Sequence, residues 1–169
     1  LTRSMSYTAS GETAFTEKDG SLWTYKYDPT YAVKTQATDP LGHTTRYIYD
    51  LKRNLTSTIA PDGSTTSYTY DAYRNLLSRT APDGSVTRYT YDAYGNVQSI
   101  TDAQNNITQY TYTPLNKVAS ITDPKGNITS YTYDAQGNLT ARTDATGTIT
   151  QYTYDTQGNL LSIMQPGGQ

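Results

Sequence analysis

Polar and apolar side chains alternate along this chain in short runs that are separated by turn residues. The run from Ile128 to Tyr133, ITSYTY, places both tyrosines on one side and Ile, Ser and Thr on the other. Alternation with a period of two is typical of a β-strand. Gly, Pro, Asp and Asn bound each run, which predicts an all-β protein with about 14–16 short strands of about seven or eight residues.

The pattern recurs with a fixed period. Each copy ends in a Tyr-x-Tyr pair, and the spacing between successive pairs is constant after a first step that is longer by one. A unit of two strands and two tight turns leaves no room for a helix, so we expect an antiparallel meander that forms a twisted, curled ribbon. The repeat-defining tyrosines are Tyr25, Tyr27, Tyr47, Tyr49, Tyr68, Tyr70, Tyr89, Tyr91, Tyr110, Tyr112, Tyr131, Tyr133, Tyr152 and Tyr154.

Two turn signals occur in each copy. The first is Asp123-Pro124-Lys125-Gly126-Asn127, in which Pro presets φ and Gly supplies a positive φ, as in a three-residue hairpin loop with a glycine bulge. The second runs from Asp134 to Asn138, and its Asp is expected to accept hydrogen bonds from local amides. The glycines of the first turn are Gly42, Gly63, Gly84, Gly126 and Gly147, and the aspartates of the second turn are Asp50, Asp71, Asp92, Asp134 and Asp155.

The odd period constrains the strand register. If both turns of a repeat were three-residue loops, equivalent residues of successive repeats would be an even number of residues apart. Tyr112 and Tyr133 are instead an odd number of residues apart. A slip of one residue would place successive tyrosines on opposite faces. We therefore expect that the two turns differ, one of them having an even loop, or that one strand carries a β-bulge. In either case Tyr112 and Tyr133 should share a face.

Composition adds that aliphatic side chains are scarce. Leu, Ile, Val and Phe together fall below the roughly one-fifth of a chain under which disorder becomes common. The 18 tyrosines and a net charge of only -2 nevertheless favour an ordered chain. Aromatic pairs across neighbouring strands are expected to supply part of the missing cohesion.

Several classes of protein are excluded or disfavoured. Cysteine is absent, which excludes disulfides and thiolate metal sites. A pI near 5.2 argues against nucleic-acid binding. No apolar run reaches the roughly 18 residues of a membrane-spanning helix.

We divide the chain into a degenerate N-terminal repeat at 1–28, six repeats at 29–155, and a partial repeat with a frayed tail at 156–169. The copy that ends at Tyr112 is the least regular, with Asn105 in place of the turn glycine and Thr113 in place of Asp. The N-terminus has neither an initiator Met nor the apolar segment of a signal peptide. It is therefore expected to be a piece of a longer chain.

The unit G-N-L-T-x-x-T-D-x-x-G-x-x-T-x-Y-T-Y-D, read from Gly137 to Asp155, resembles the YD repeat of the Rhs family. That family includes bacterial Rhs polymorphic toxins, the B/C components of Tc toxins, wall-associated proteins and animal teneurins. The resemblance implies a long β-ribbon that spirals into a hollow shell, which in the toxins encloses a C-terminal effector. The family's aspartyl autoprotease follows such repeats, and nothing after Gln157 resembles it.

Candidate chemistry is sparse. His43 stands at a turn and is interpreted as a solvated turn residue. The recurring aspartates are too repetitive for catalysis, and their spacing differs from that of calcium-binding β-rolls. Sequons such as Asn127-Ile128-Thr129 arise from the Thr-rich repeat itself. We expect no enzyme activity, no cofactor and no metal.

The resemblance predicts a structural shell segment of a bacterial Rhs-type toxin or secreted protein, which encapsulates a C-terminal effector and is secreted or lies at the cell surface. Its expected partners are the remainder of the parent shell and an enclosed effector, with no nucleic acid and no membrane span. Self-association through strand edges or the sheet face is also expected. The alternative is a cell-surface module that binds carbohydrate or protein through its tyrosine-rich faces.

Overall fold

A computed structural model describes residues 4–7, 12–17 and 19–166, and every regular element in these residues is a β-strand. The chain divides into two compact units, residues 1–86 and residues 87–169. Within the described part of the chain, no helix is long and apolar enough to cross a membrane. The predicted frayed tail includes residues 167–169, which lie outside the described residues. The division into repeats and tail stays a prediction.

The N-terminal unit is a run of antiparallel strands in chain order. Its strands are β1 (Ser4–Tyr7), β2 (Glu12–Thr16), β3 (Leu22–Tyr27), β4 (Lys34–Thr38), β5 (Thr44–Tyr49), β6 (Leu55–Ile59), β7 (Thr65–Tyr70) and β8 (Leu76–Thr80). Each strand pairs with the next one, as an antiparallel meander requires.

The C-terminal unit, to which all of β9 except its first residue belongs, repeats this arrangement. Its strands are β9 (Val86–Tyr91), β10 (Val97–Thr101), β11 (Ile107–Tyr112), β12 (Val118–Thr122), β13 (Ile128–Tyr133), β14 (Leu139–Thr143), β15 (Ile149–Tyr154) and β16 (Leu160–Met164). The all-β meander and the approximate strand number are confirmed. The predicted strand length is wrong, because β2 to β16 have five or six residues and the turns take up more of each repeat than expected.

Both turns of a repeat have the same backbone. In the first turn, the Asp123 amide donates to the Asn127 carbonyl at 3.0 Å, and Gly126 has φ of 84°. In the second turn, the Asp134 amide donates to the Asn138 carbonyl at 3.0 Å, and Gly137 has φ of 85°. Each is a three-residue loop that ends in the left-handed conformation. The expectation that the two turns differ is therefore wrong.

The odd residue of each repeat lies in a β-bulge. Between β13 and β14, Thr132 pairs with Ala141 whereas Tyr133 pairs with Leu139, which leaves Thr140 as the extra residue. The alternative that a strand carries a bulge is thus confirmed. The corresponding extra residues are Thr35, Thr56, Leu77, Gln98, Ala119, Thr140 and Leu161.

The bulge restores the face of every side chain. Ser120 pairs with Ser130, which pairs with Thr143, so Ser120 and Thr143 lie side by side on alternate strands. The separation in sequence between Ser120 and Thr143 is two residues longer than one repeat. Because two is an even number, equivalent residues of successive repeats lie on the same face. Tyr112 lies on the same face as Tyr110 and its partner Ile121. The pairing of β12 with β13 continues this face to Tyr133, which confirms that Tyr112 and Tyr133 share a face. Each repeat is also displaced along the strands by two residues, or about 7 Å.

Burial follows the alternation but is shallow. In β7 the residues Thr66, Tyr68 and Tyr70 are half-buried and their neighbours are exposed. Among the described residues, no large side chain is fully buried, and Ala37 is the one buried apolar residue. Stability in this protein therefore rests on strand pairing and turn hydrogen bonds more than on an aliphatic core.

Candidate functional site

After four of the bulges, a tyrosine hydroxyl closes the end of the following strand pair. The main-chain pairing of β12 with β13 extends as far as Ser120 and Ser130, and beyond it the Tyr133 hydroxyl donates to the Val118 carbonyl at 2.9 Å. This contact is here called the tyrosine latch. The latches are Tyr49 to Lys34, Tyr70 to Leu55, Tyr112 to Val97 and Tyr133 to Val118.

The latch explains why the second position of the Tyr-x-Tyr pair carries a phenol. Burial raises the pKa of Tyr49, Tyr70, Tyr112 and Tyr133 above the ordinary value for tyrosine. A phenol is protonated at neutral pH in any case, so each hydroxyl can donate. A hydrogen bond of this kind contributes about 0.5–1.5 kcal/mol. The sequence shows the spacing of the tyrosines, but the carbonyl acceptor becomes visible only once the bulge is located.

The expected aromatic pairs across neighbouring strands are wrong for the tyrosines, although Phe15 pairs with Trp23 across β2 and β3. Tyr131 pairs with Arg142 and Tyr110 pairs with Ile121, because tyrosine-bearing strands alternate with strands that carry other residues at these positions. The tyrosines of successive repeats are therefore two strand spacings apart, about 10 Å. The rings of Trp23 and Tyr25 stack along the same strand, with centroids 6.4 Å apart.

An aspartate clamps most of the turns. Asp134 accepts the amides of Gln136 and Asn138 through Oδ1 and the Asn138 side-chain amide through Oδ2, at 2.8–3.0 Å. The hydrogen bond from the Asn138 side chain is the largest cause that holds the pKa of Asp134 below its usual range. The same Asp–Asn clamp occurs at Asp50 with Asn54, Asp71 with Asn75, Asp92 with Asn96, Asp102 with Asn106, Asp123 with Asn127 and Asp155 with Asn159.

Two turns contain variants of the clamp, in which Ser85 or His43 forms the hydrogen bond with the aspartate. In one Pro-Asp-Gly turn, Asp83 stands one residue before the glycine and accepts the amide and hydroxyl of Ser85. His43 takes the place of Asn, with Nδ1 2.9 Å from Asp39 Oδ2 on an exposed turn, which confirms its interpretation as a solvated turn residue. Within the described residues, no three His, Asp or Glu side chains converge as metal ligands.

Successive second turns lie side by side and enclose shallow grooves. Arg74 Nε donates to Asn54 Oδ1 of the preceding turn at 2.9 Å. A groove of about 590 Å³ lies there, and one of about 650 Å³ lies between the turns that begin at Asp134 and Asp155. Both are lined by the clamp aspartates and by the Tyr-Thr-Tyr end of a strand. A groove that recurs with the repeat does not have the single constellation that a catalytic site requires.

The structure places the repeat glycines Gly42, Gly63, Gly84, Gly126 and Gly147 at positive φ. Where the glycine is replaced, Arg53, Arg74, Asn105 and Asn116 adopt the same conformation. The irregular Thr113 still accepts the amides of Leu115 and Lys117, at 3.3 and 3.2 Å. The turn geometry therefore survives the loss of both Gly and Asp.

A protein-family model described as RHS Repeat matches the chain six times in overlapping segments. The matched segments are residues 32–65, 53–86, 75–107, 91–128, 112–149 and 133–169. A search of curated protein sequences finds no match.

Solved structures with a similar fold come from Tc toxins. The Photorhabdus luminescens Tc holotoxin pore matches with a TM-score of 0.71 at 17% identity, over 94% of this chain and 10% of that chain. The complexes TcdB2-TccC3-TEV and TcdB2-TccC3 without its hypervariable C-terminal region match with TM-scores of 0.74 and 0.72, each at 17% identity, over 97% of this chain and 11% of theirs. The chain thus spans about a tenth of the length of these proteins.

Proposed function

This chain belongs to the RHS repeat family, and we propose that it is a structural segment of the wall with which a bacterial toxin encloses its effector. The observation that carries the proposal is the repetition itself. Every regular step has the same two loops, the same bulge and the same pairing, and the described residues hold no group of three His, Asp or Glu side chains that could ligate a metal. The likeness in fold to Tc toxin structures supports this role.

The proposed mechanism is confinement. A wall must present continuous main-chain pairing and must keep one face turned consistently inward, and the bulge supplies the second requirement in each repeat. Latches and clamps reinforce the strand ends, where pairing stops and a wall would open first. The segment acts without chemistry of its own, as part of a secreted or cell-surface protein.

Protease protection of the effector in the full-length protein that carries this segment tests the proposal. The effector should resist digestion in the intact protein and become accessible when Ser130 is replaced by Pro, since Ser130 is paired with Ser120 on one side and with Thr143 on the other and proline has no amide hydrogen for the ladder. Substitution of the exposed turn residue Tyr94 by Ala is the matched control and should leave protection unchanged. An effector that is digested equally fast in the unaltered protein would overturn the proposal.

A second candidate is a glycan-binding surface module, which the recurring grooves favour. Their lining of tyrosine, threonine and aspartate offers aromatic faces and acceptors at a regular interval. A glycan array with the 169-residue chain tests this role. Binding that is lost on Tyr152→Ala and retained on Tyr94→Ala would support it, and an array without specific signals would exclude it for the glycans tested.

A further inference from the structure

One groove between successive second turns differs from the others in its lining. It has a volume of about 270 Å³ and lies between the four-residue loop that follows Asp28 and the turn that begins at Asp50. It is here called the loop groove. The strands next to it, β4 and β5, each pair with a neighbour on both sides, so the loop groove does not depend on a free edge of the sheet.

The loop groove is less polar than the groove between the turns at Asp134 and Asp155. Five positions line both grooves but carry different residues, and at four of them an apolar or aromatic side chain replaces a polar one. These replacements are Tyr31 for Gln136, Val33 for Asn138, Ile48 for Thr153 and Leu51 for Thr156. Apolar and aromatic walls with a few polar groups are typical of small-molecule sites. The volume lies just below the range of about 300–1,000 Å³ for drug-sized ligands, which suits a smaller molecule.

The fifth replacement brings a cation into the loop groove. Arg53 takes the place of Gly158, also at positive φ, and its Cζ lies 5.6 Å from the centroid of the Tyr31 ring. No described residue accepts a hydrogen bond from this guanidinium. A guanidinium that stacks on an aromatic ring keeps the N–H groups at its edge available, and these can bind a carboxylate through two hydrogen bonds.

The loop groove also contains a carboxylate with one uncommitted oxygen. Asp28 Oδ1 accepts the amides of Thr30 and Tyr31, each at 2.8 Å. In the ordinary clamp Oδ2 accepts from an Asn side chain, but here Val33 occupies that position, and no described residue donates to Asp28 Oδ2. Both oxygens of Asp50, by contrast, accept hydrogen bonds within their own turn. Asp28 Oδ2 can therefore bind an ammonium group.

We propose that the loop groove binds a free α-amino acid with a large apolar side chain. Its carboxylate pairs with Arg53 and its ammonium with Asp28 Oδ2, so that a zwitterion matches both charges of the groove. Its side chain covers Leu51 and Ile48, which are 87% and 49% exposed. A neutral sugar or a hydrocarbon would use neither charge. This site does not depend on the proposed wall function, because it concerns one groove within the N-terminal unit.

An NMR titration of the isotopically labelled 169-residue chain with L-phenylalanine tests the proposal. The amide signals of residues 30–33 and 51–54 should shift and saturate. Glycine has the same two charges without the apolar side chain, so it should bind about tenfold more weakly or worse. Equal affinity for glycine, or no saturable shift up to the solubility limit of L-phenylalanine, would overturn the proposal.

Two derivatives of the ligand separate the zwitterion from its parts. L-phenylalaninamide lacks the carboxylate, and N-acetyl-L-phenylalanine lacks the ammonium. Each should bind about tenfold more weakly than L-phenylalanine, because each loses one charge-assisted hydrogen bond. If the acetyl derivative binds as tightly as L-phenylalanine, the groove recognises any apolar carboxylate, such as the C-terminus of a peptide, and the proposal fails.

Variants of the chain assign each charge to its residue. Arg53→Gly introduces the residue that other second turns carry at this positive φ, so the turn is preserved. It should weaken L-phenylalanine binding about tenfold and leave the weaker binding of L-phenylalaninamide unchanged. Asp28→Asn keeps an acceptor for the turn amides, and it should weaken L-phenylalanine binding but not that of the acetyl derivative.

Arg74→Gly is the matched control, because it makes the same replacement at positive φ in the next second turn, outside the loop groove. It should leave the affinity for L-phenylalanine unchanged. Equal affinity in Arg53→Gly and the unaltered chain, or an equal loss in Arg53→Gly and Arg74→Gly, would overturn the proposal. The dispersion of the amide signals shows in the same spectra that each variant is folded.

Discussion

The hairpin from Tyr27 to Lys34 and the hairpin from Tyr133 to Leu139 hold the same place in two repeats but differ by one residue. The earlier hairpin has a four-residue loop, in which the Asp28 amide donates to the Val33 carbonyl at 2.9 Å and Ala32 takes the positive φ. The later hairpin has the three-residue loop that begins at Asp134.

Past the loop, the two hairpins become alike again. Thr35 and Thr140 are the extra residues of equivalent bulges, and Tyr49 latches the Lys34 carbonyl as other tyrosines latch Leu or Val. The inserted residue is therefore absorbed in the loop and never reaches the strand. The difference teaches that bulge and latch define this repeat, whereas the loop is free to vary, as exposed loops generally are.

The largest expected effect on stability comes from a change within a strand, because the loops can vary and the strands cannot. Replacing Ser130 by Pro should lower the free energy of unfolding by about 3 kcal/mol or more, because Ser130 is paired with Ser120 on one side and with Thr143 on the other and proline has no amide hydrogen for the ladder. The matched control replaces the three residues 135–137 with the four residues 29–32, which adds one residue to a loop. That variant should lose less than about 1 kcal/mol. Thermal unfolding followed by circular dichroism measures both, and equal losses would contradict the comparison.

Acid should weaken the hairpin from Tyr133 to Leu139 through its turn. The pKa of Asp134 is held below its usual range, first by the hydrogen bond from the Asn138 side chain. A carboxyl with a lowered folded pKa stabilises the fold above its unfolded pKa of about 3.9, and this contribution is lost as the pH falls through the folded value.

With clamps in most repeats, the midpoint of thermal unfolding should be level from pH 7 to about 5 and should fall below about pH 4. Asp134→Asn should reduce the pH dependence and leave the neutral-pH fold intact. A midpoint that stays constant down to pH 2 would contradict the role given to the clamps.

Removing one latch tests how much a single hydrogen bond contributes to the free energy of unfolding. Tyr133→Phe should lower the free energy of unfolding by about 1 kcal/mol, because the Val118 carbonyl loses its donor. Tyr94→Phe is the control, since that tyrosine stands exposed at a turn tip. Urea unfolding of both variants gives the difference, and an unchanged Tyr133→Phe would show that water replaces the latch.

The smallest effect is expected at Lys34, the residue that most distinguishes the irregular hairpin. Its ammonium lies 4.6 Å from the Tyr47 ring centroid and 5.5 Å from that of Tyr25, in a position that Leu or Val fills in later repeats. A cation–π contact at such a site contributes about 0.5–1 kcal/mol, similar to the burial that a leucine would gain.

Lys34→Leu should therefore change the free energy of unfolding by less than about 0.5 kcal/mol, whereas Lys34→Ser should lose more, since it provides neither contact. A loss above about 1 kcal/mol in Lys34→Leu, measured by urea unfolding, would show that the cation is required.

Much of this architecture can be read from the sequence. The alternation in runs such as 128–133 predicts the strands, and the Gly and Asp signals predict the turns. The odd period predicts that each repeat has one extra residue, either in a loop or in a β-bulge. Its location could not be read, because Thr140 has no side-chain property that separates it from the threonines around it. The latch was missed for a related reason, since a tyrosine spacing gives no sign of the carbonyl that its hydroxyl finds. The aspartates were correctly expected at turns, but the reciprocal contact from Asn138 requires the folded loop to be seen.

One consequence of the bulge concerns copy number. Because each repeat corrects its own odd length, a unit can be gained or lost by recombination without turning the rest of the sheet over. An array corrected only once every two repeats would tolerate exchange in pairs alone. Repeats of this kind are interchangeable one at a time, so a gene that encodes them can lengthen or shorten its product in single steps while every surviving tyrosine keeps its side.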